Sequence, residues 1–191
     1  MTDILGAVND FVLAYCHKGQ DLPPLDQRQV VRGWQNVVSA LPPDSQEYAV
    51  LTLLGTIRHG TNIHAYSDAA TPDDLNLRVQ RLAGHLVQVD FCSAYPQQTE
   101  EFSRMRAEIL ETLTRDWIAV NFFRKFGISS CYAEDIKPAP FLNEAEQWAA
   151  RYIVTLHLIG HSTIDLVQPA FSELDIYLEN VDVHHPVTNN L

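Results

Sequence analysis

The stretch that decides the fold lies between His85 and Pro186, where patterns typical of strands and of helices follow one another. It reads HLVQVDFCSAY (85–95), TEEFSRMRAEILETLTRDWIAVNFF (99–123), ISSCYAEDIKPAPF (128–141), QWAARYIVTLHLIGHS (147–162) and LENVDVHHP (178–186). The first and fourth segments alternate or are apolar over the length of a strand, and the second has apolar residues at helical spacing. The third contains a tyrosine and two prolines, and the prolines predict a loop. The stretch therefore predicts strand, helix, loop, strand and acidic tail.

The helix and the second strand of this stretch are predicted to belong to two different layers, a helical layer and a sheet. A helix is predicted over 98–117, with an apolar stripe formed by Phe102, Met105, Ile109, Leu113 and Trp117. Such a stripe needs a sheet to cover it. The strand at 152–158 is apolar on both faces, which is typical of a central strand. Trp148 and Tyr152 are expected to pack in the core.

The rest of the chain supplies further elements around this layer. A helix is predicted over 3–16 and strands at 48–57, with a bulge at Gly55, at 73–82 and at 171–183. Residues 58–72 are expected to form a polar loop or hairpin. Residues 26–41 are ambiguous, because their apolar spacing favours a helix whereas β-branched residues and Gly33 disfavour one.

These elements predict an α+β fold in one domain over residues 1–191, with an N-terminal helix at 3–16 and a core at 26–186. The expected architecture is a mostly antiparallel sheet of about four to six strands, with the helices packed on one of its faces.

Charge and composition exclude some classes of protein. The 191 residues include 13 Lys and Arg against 24 Asp and Glu, a net charge of −11, which disfavours a broad nucleic-acid interface. No apolar run reaches the roughly 18 residues that span a membrane, and the N-terminus lacks a basic signal-peptide region, so a cytoplasmic site of synthesis is expected. The three cysteines are widely spaced and are expected to be reduced, buried thiols.

Two short patterns raise an enzymatic alternative. His157 and His161 are four residues apart, but Leu follows the first and the segment is strand-like, so the helical zinc motif is not met. Asp135 and Lys137 match the D-x-K element of metal-dependent nucleases, for which Asp90 or Asp116 would have to supply a second acid. The sequence contains no P-loop, no GxGxxG and no GxSxG. We therefore expect a protein that has no enzymatic activity and binds neither a metal nor a cofactor.

Several segments, taken together and in order, resemble one protein family. They are VVRGWQN (30–36), YAVLTLLGTIRHGTNIHAYS (48–67), HLVQVDFCSAY (85–95), ISSCYAED (128–135), RYIVTLHL (151–158) and LDIYLENVDVHHP (174–186). Their order and spacing resemble the neck or tail-terminator proteins of tailed bacteriophages. The resemblance favours a strand for residues 30–35 and implies a tail-terminator-like fold.

The resemblance also implies a function and partners. Such a protein is expected to form a hexameric ring in the virion that caps the tail tube, ends its polymerisation and binds neck or connector proteins. DNA is expected to pass through the ring without specific binding, and no membrane contact is expected. Loops 58–67 and 129–141 are the candidate contacts with the tube or a neighbouring subunit, through Arg58, His59, Asn62, His64, Tyr132, Glu134, Asp135 and Lys137. Alternatives are another head–tail joining or tail-completion protein, a part of a phage-derived particle, or a small nuclease.

Overall fold

A computed structural model describes residues 3–19, 21–34, 47–68, 74–93, 99–142 and 148–169. The helices are α1 (Ile4–Tyr15), α2 (Thr99–Thr114) and α3 (Trp117–Arg124), and a single 3-10 turn spans Gln27–Gln29. The strands are β1 (Val30–Arg32), β2 (Glu47–Asp68), β3 (Asp74–Ser93), β4 (Ile128–Ala133), β5 (Lys137–Pro138), β6 (Phe141–Leu142) and β7 (Trp148–Pro169). Within these ranges no helix is long and apolar enough to cross a membrane.

The strands form one mixed sheet in the order β1-β2-β3-β7-β4, and the two-residue strands β5 and β6 also pair with β7. All pairs are antiparallel except β1 with β2. The sheet has one strand more than the largest number expected, because β5 and β6 are short additions to its edge. β7 is central, as predicted.

The core lies between one face of the sheet and the helices, which confirms the predicted α+β class. Residues of the sheet that share this face are Leu51, Val87, Val89, Phe91, Val154, Leu156 and Leu158, and all are buried. The helices cover them with buried residues Val8, Phe11, Val12, Ala107, Leu110, Ala119 and Phe123. We call this face of the sheet the helix side and the other the open side.

The helix predicted over 98–117 is two helices, which corrects the prediction at its C-terminal end. The hydroxyl of Thr114 donates to the carbonyl oxygens of Leu110 and Glu111, in the last turn of α2. Asp116 then caps α3, since its carboxylate accepts from the backbone N–H of Ile118 at 3.0 Å. Trp117 is the first residue of α3 and is exposed, so it does not belong to the apolar stripe.

The predicted strands are too short. Residues 58–68 continue β2 and pair with β3, which agrees with the hairpin alternative for 58–72 and not with the loop. The two strands predicted at 73–82 and 85–91 are one strand, β3. The predicted bulge is confirmed, because the register between β2 and β3 shifts between Leu53 and Gly55. Polar residues extend the strands because the backbone groups that face the neighbouring strand pair with it, whatever the side chain.

Two other segments differ in part from expectation. Residues 30–32 form strand β1, which agrees with the strand interpretation of that segment, while residues 35–41 lie outside the described residues. The predicted loop 128–141 begins with strand β4, which contains Cys131 and Tyr132. The strand expected at 171–183 also lies outside the described residues.

Candidate functional site: an exposed arm and a charged cluster

The three long strands continue past the part of the sheet that the helices cover. We call residues 55–68 of β2, 74–85 of β3 and 159–169 of β7 the arm, and the other described residues the body. In the arm, residues 56–68 are all exposed, and so are residues 161–169 except Ser162. β1 pairs only with residues 49–51 and β4 only with 156–160, so within the described residues both edges of the arm's outer part are unpaired. The arm is therefore an extended and largely uncovered sheet.

The outer part of the arm has a different composition on each face, whereas nearer the body the open side also presents the exposed apolar residues Ile57 and Ile63. Residues directly opposite one another in an antiparallel pair share a face. On the helix side, the rows are Tyr66–Leu77–Leu166 and His64–Val79–Ile164. On the open side, the rows are Ala65–Arg78–Asp165 and Ser67–Asn76–Val167, and the Arg78 guanidinium donates to the Asp165 carboxylate at 2.7 Å. The outer helix-side rows of the arm are thus mostly apolar, and the row of Arg81 and Ser162 lies between them and the core.

Four predicted contact residues lie in the arm. The Arg58 guanidinium donates to Asn62 Oδ1 at 2.8 Å and to Gly60 O, around a local shift in strand register. His59 lies over Gly84, where an added Cβ would stand 2.7 Å from the imidazole Nε2. The structure brings Arg58 and Asn62 together, and it places His64 in a row with Val79.

The other four predicted residues form a charged cluster at the edge of the body. The Tyr132 ring stacks on the His157 ring with centroids 4.3 Å apart. Glu134 accepts hydrogen bonds from Lys137 Nζ and pairs with His157 Nε2, both at 2.8 Å. The hydrogen bonds from Lys137 and then from His157 lower the pKa of Glu134, so it stays ionised well into the acid range.

Asp135 also belongs to this charged cluster, and its partner is Arg115, which directly follows α2. Arg115 donates to the Asp135 carboxylate and to the carbonyl oxygen of Ala133, each at 3.1 Å. Arg115, Tyr132, Glu134, Asp135 and Lys137 line an open groove of about 480 Å³. Sequence reasoning included four of these side chains and missed Arg115, which shows no local signal because the contact spans 20 residues.

Comparison with known protein families decides the class. The family model of the phage neck terminator protein matches residues 2–183, which is nearly the whole chain. The chain belongs to this family. No curated protein matches the chain in sequence. Membership in the phage neck terminator family makes this a structural protein of the phage neck and hence a component of the virion.

The geometry of the charged cluster is consistent with a structural role for this neck terminator family member. Asp135 and Lys137, the residues of the nuclease alternative, each face an opposite charge, Arg115 and Glu134. The two proposed second acids are also engaged, since Asp90 pairs with Arg151 and Asp116 caps α3. Among the described residues, no group of three or more His, Cys, Asp or Glu side chains is placed to hold a metal ion.

The cysteines of this neck protein are poor nucleophiles. All three are buried, and burial raises the pKa of the thiol to about 12 for Cys16 and Cys92 and to about 11 for Cys131. Because the thiolate is the nucleophilic form, these thiols are almost entirely unreactive at neutral pH. The prediction that Cys131 lies in a loop is wrong, since it faces the core from β4.

A further feature is the exposure of all three tryptophans of the chain. Trp34, Trp117 and Trp148 are between 63% and 79% exposed. This corrects the expectation that Trp148 packs in the core. Exposed tryptophan is uncommon, and this residue type is enriched at the energetic centres of protein interfaces. These side chains are therefore candidate contacts with another protein.

Proposed function

We propose that this neck terminator family member assembles into a hexameric ring that caps the tail tube, ends its polymerisation and joins it to the head connector. The match over residues 2–183 supports the neck role. The observation that carries the ring is the arm, an uncovered three-stranded sheet that differs in shape and charge from the body. A head-to-tail cyclic assembly requires two different surfaces on each subunit, and the arm and the body meet this requirement.

The charge of the chain fits a ring that surrounds moving DNA. A formal charge of −11 per subunit repels phosphate, so DNA passes through the lumen without binding to it. A ring structure with a basic lumen would contradict this part of the proposal.

The ring is tested by the mass of the purified protein in multi-angle light scattering, with negative-stain images of the same sample. The expected results are a mass near six times 21.6 kDa and a particle with a central hole. A purified chain that is monomeric is then mixed with polymerising tail-tube protein, because the tube end is a template for the ring.

Capping has its own measurement in the same mixture. Substoichiometric chain is expected to stop tube growth and to be found at one tube end in gold-labelled images. Tubes that reach the same lengths with and without the chain, and that carry no label at their ends, would exclude the terminator role. Label at the connector end of heads but never on tubes would support a head-joining role instead.

A further inference from the structure

We propose that the helix-side face of the arm is the surface by which one subunit binds the body of a second copy of this chain. This inference rests on the proposed ring and names the contact that closes it. It concerns the row Tyr66–Leu77–Leu166 and the neighbouring row His64–Val79–Ile164.

The first argument is the apolar character of a face that nothing covers among the described residues. Five of the six side chains in these two rows are apolar or aromatic, and Tyr66, Ile164 and Leu166 are between 45% and 62% exposed, whereas Leu77 in the middle strand is 6% exposed. The same face is buried by helices in the body, at Val87 and Leu156. A contiguous exposed apolar patch on a protein surface marks a place where another molecule binds.

The second argument is the distribution of charge, which selects the partner. The arm has three Lys or Arg and three Asp or Glu residues, so its formal charge is zero, and it holds four of the eight histidines. The described residues of the body include ten basic and thirteen acidic residues, a formal charge of −3, and the other eight acidic residues of the chain lie outside the described residues. Two bodies repel one another, whereas the neutral arm approaches an acidic body without this penalty. The arm is therefore the part of one copy that suits the body of the next.

The third argument is size. Twelve residues of β3 span roughly 40 Å and three strands span roughly 14 Å, so one face of the arm measures on the order of 550 Å². Covering it buries about 1,100 Å² in total over both partners, which just exceeds the ~1,000 Å² of the smallest stable interfaces. Each subunit of a closed ring makes this contact twice, once with its arm and once with its body.

The test uses two neighbouring residues of β7 that lie on opposite faces. Leu166 is 45% exposed on the helix side and Val167 is 68% exposed on the open side. Full-length Leu166→Asp and Val167→Asp chains are compared with the wild type by sedimentation velocity, alone and on tail tubes, with circular dichroism to verify folding. We expect Leu166→Asp to be monomeric, a sixfold fall in mass, and Val167→Asp to assemble as the wild type does.

If the aspartate substitutions prevent folding, two milder serine substitutions test the same inference. Ile164→Ser, on the helix side, is expected to raise the concentration needed for assembly at least tenfold, and Val167→Ser is expected to leave it unchanged. Assembly of Leu166→Asp and Ile164→Ser as in the wild type would overturn this inference and leave the ring intact. Equal loss from the Val167 variants would overturn it too, because the two faces would not differ. A wild-type chain that stays monomeric both alone and on tubes would overturn the ring itself.

Discussion

Arg106 of α2 and Glu47 of β2 form an ion pair that is almost completely removed from solvent. The guanidinium Nη2 lies 2.8 Å from Glu47 Oε2, and the two side chains are 2% and 8% exposed. Arg106 also donates to the carbonyl oxygens of Cys16 and Pro23, at 3.1 and 2.6 Å. One side chain therefore joins α2 to the start of β2 and to the segment that follows α1.

The first prediction is that Arg106→Ala destabilises the protein strongly. Removal of the guanidinium leaves the Glu47 carboxylate buried without its charged partner and leaves two carbonyl oxygens without this donor. Breaking a buried ion pair in this way costs about 3–5 kcal/mol. Urea denaturation followed by circular dichroism measures the loss in the free energy of unfolding.

Arg104→Ala is the matched control, since it changes the same residue type two positions away on α2. Arg104 pairs with Glu108 at 2.7 Å, but its side chain is about half exposed. An exposed pair four residues apart on a helix contributes about 0.3–0.5 kcal/mol. Similar losses in the free energy of unfolding from the two substitutions would show that the buried ion pair stabilises the protein no more than the exposed one.

The second prediction concerns the place where the arm leaves the body. Gly160 lies on the helix side of β7, where an added Cβ would stand 3.0 Å from the carbonyl oxygen of Gly127 and 3.5 Å from Ile128 Cα. The close approach allows the turn after α3 to lie against the strand. We expect Gly160→Val to destabilise the fold by about 1–3 kcal/mol, the usual cost of overpacking.

Gly55→Val tests whether the effect of Gly160→Val comes from this close contact or from valine in a strand. Nothing lies within 4 Å of a Cβ added at Gly55, and valine favours strands. Thermal unfolding should show a lower midpoint for Gly160→Val and an unchanged or higher midpoint for Gly55→Val. A lower midpoint for both would point to the loss of strand glycine itself.

Local sequence predicted the type of the elements better than their length. The alternation of Val87 and Val89 predicts a strand because half of each strand is buried, and the structure confirms it. Residues 58–68 have no such alternation, so the sequence left a polar loop and a hairpin as alternatives for this exposed strand. Their conformation depends on pairing with β3, a long-range property that a local pattern does not contain.

For α3 and for the candidate site as well, local features were predictable from the sequence and long-range contacts were not. Asp116 before the apolar run WIAVNFF is a capping signal, so the start of α3 was predictable from the sequence. The partner of Asp135 was not, because Arg115 reaches it only through the packing of α2 against β4. Proximity of charges on different elements is set by the tertiary fold.

The third prediction is a dependence of stability on pH that comes from Glu134. Its pKa in the folded protein is lowered by Lys137 and His157, so folding favours the ionised form. The stabilisation is complete above the unfolded pKa, near 4.5, and is lost as the pH falls through the folded pKa.

Glu134→Gln is expected to unfold at a lower temperature than the wild type at pH 7, and the difference is expected to shrink as the pH falls below 4.5 and to vanish once the folded wild type is also protonated. Scanning calorimetry at pH 7 and at a series of lower pH values measures this difference in unfolding temperature. A difference that grows as the pH falls would have the wrong sign for a carboxylate with a lowered pKa.

The fourth prediction uses the tryptophans as reporters of the interface between subunits. Trp34, Trp117 and Trp148 all belong to the body and are more than 60% exposed, and the arm contains no tryptophan. If the arm of one copy covers the body of the next, at least one indole leaves water on assembly. Its emission maximum is then expected to move to shorter wavelength as the protein concentration rises through the assembly range.

Single substitutions Trp34→Phe, Trp117→Phe and Trp148→Phe identify which indole is responsible, because the shift disappears with the reporter that the arm covers. Leu166→Asp supplies the control, since it retains all three tryptophans and is expected to stay monomeric with unchanged emission. Assembly without any shift would contradict this prediction, because all three indoles would then remain in water. A shift that persists in a monomeric Leu166→Asp chain would show that the emission reports something other than contact between subunits, since no neighbouring copy is then present to cover the indole.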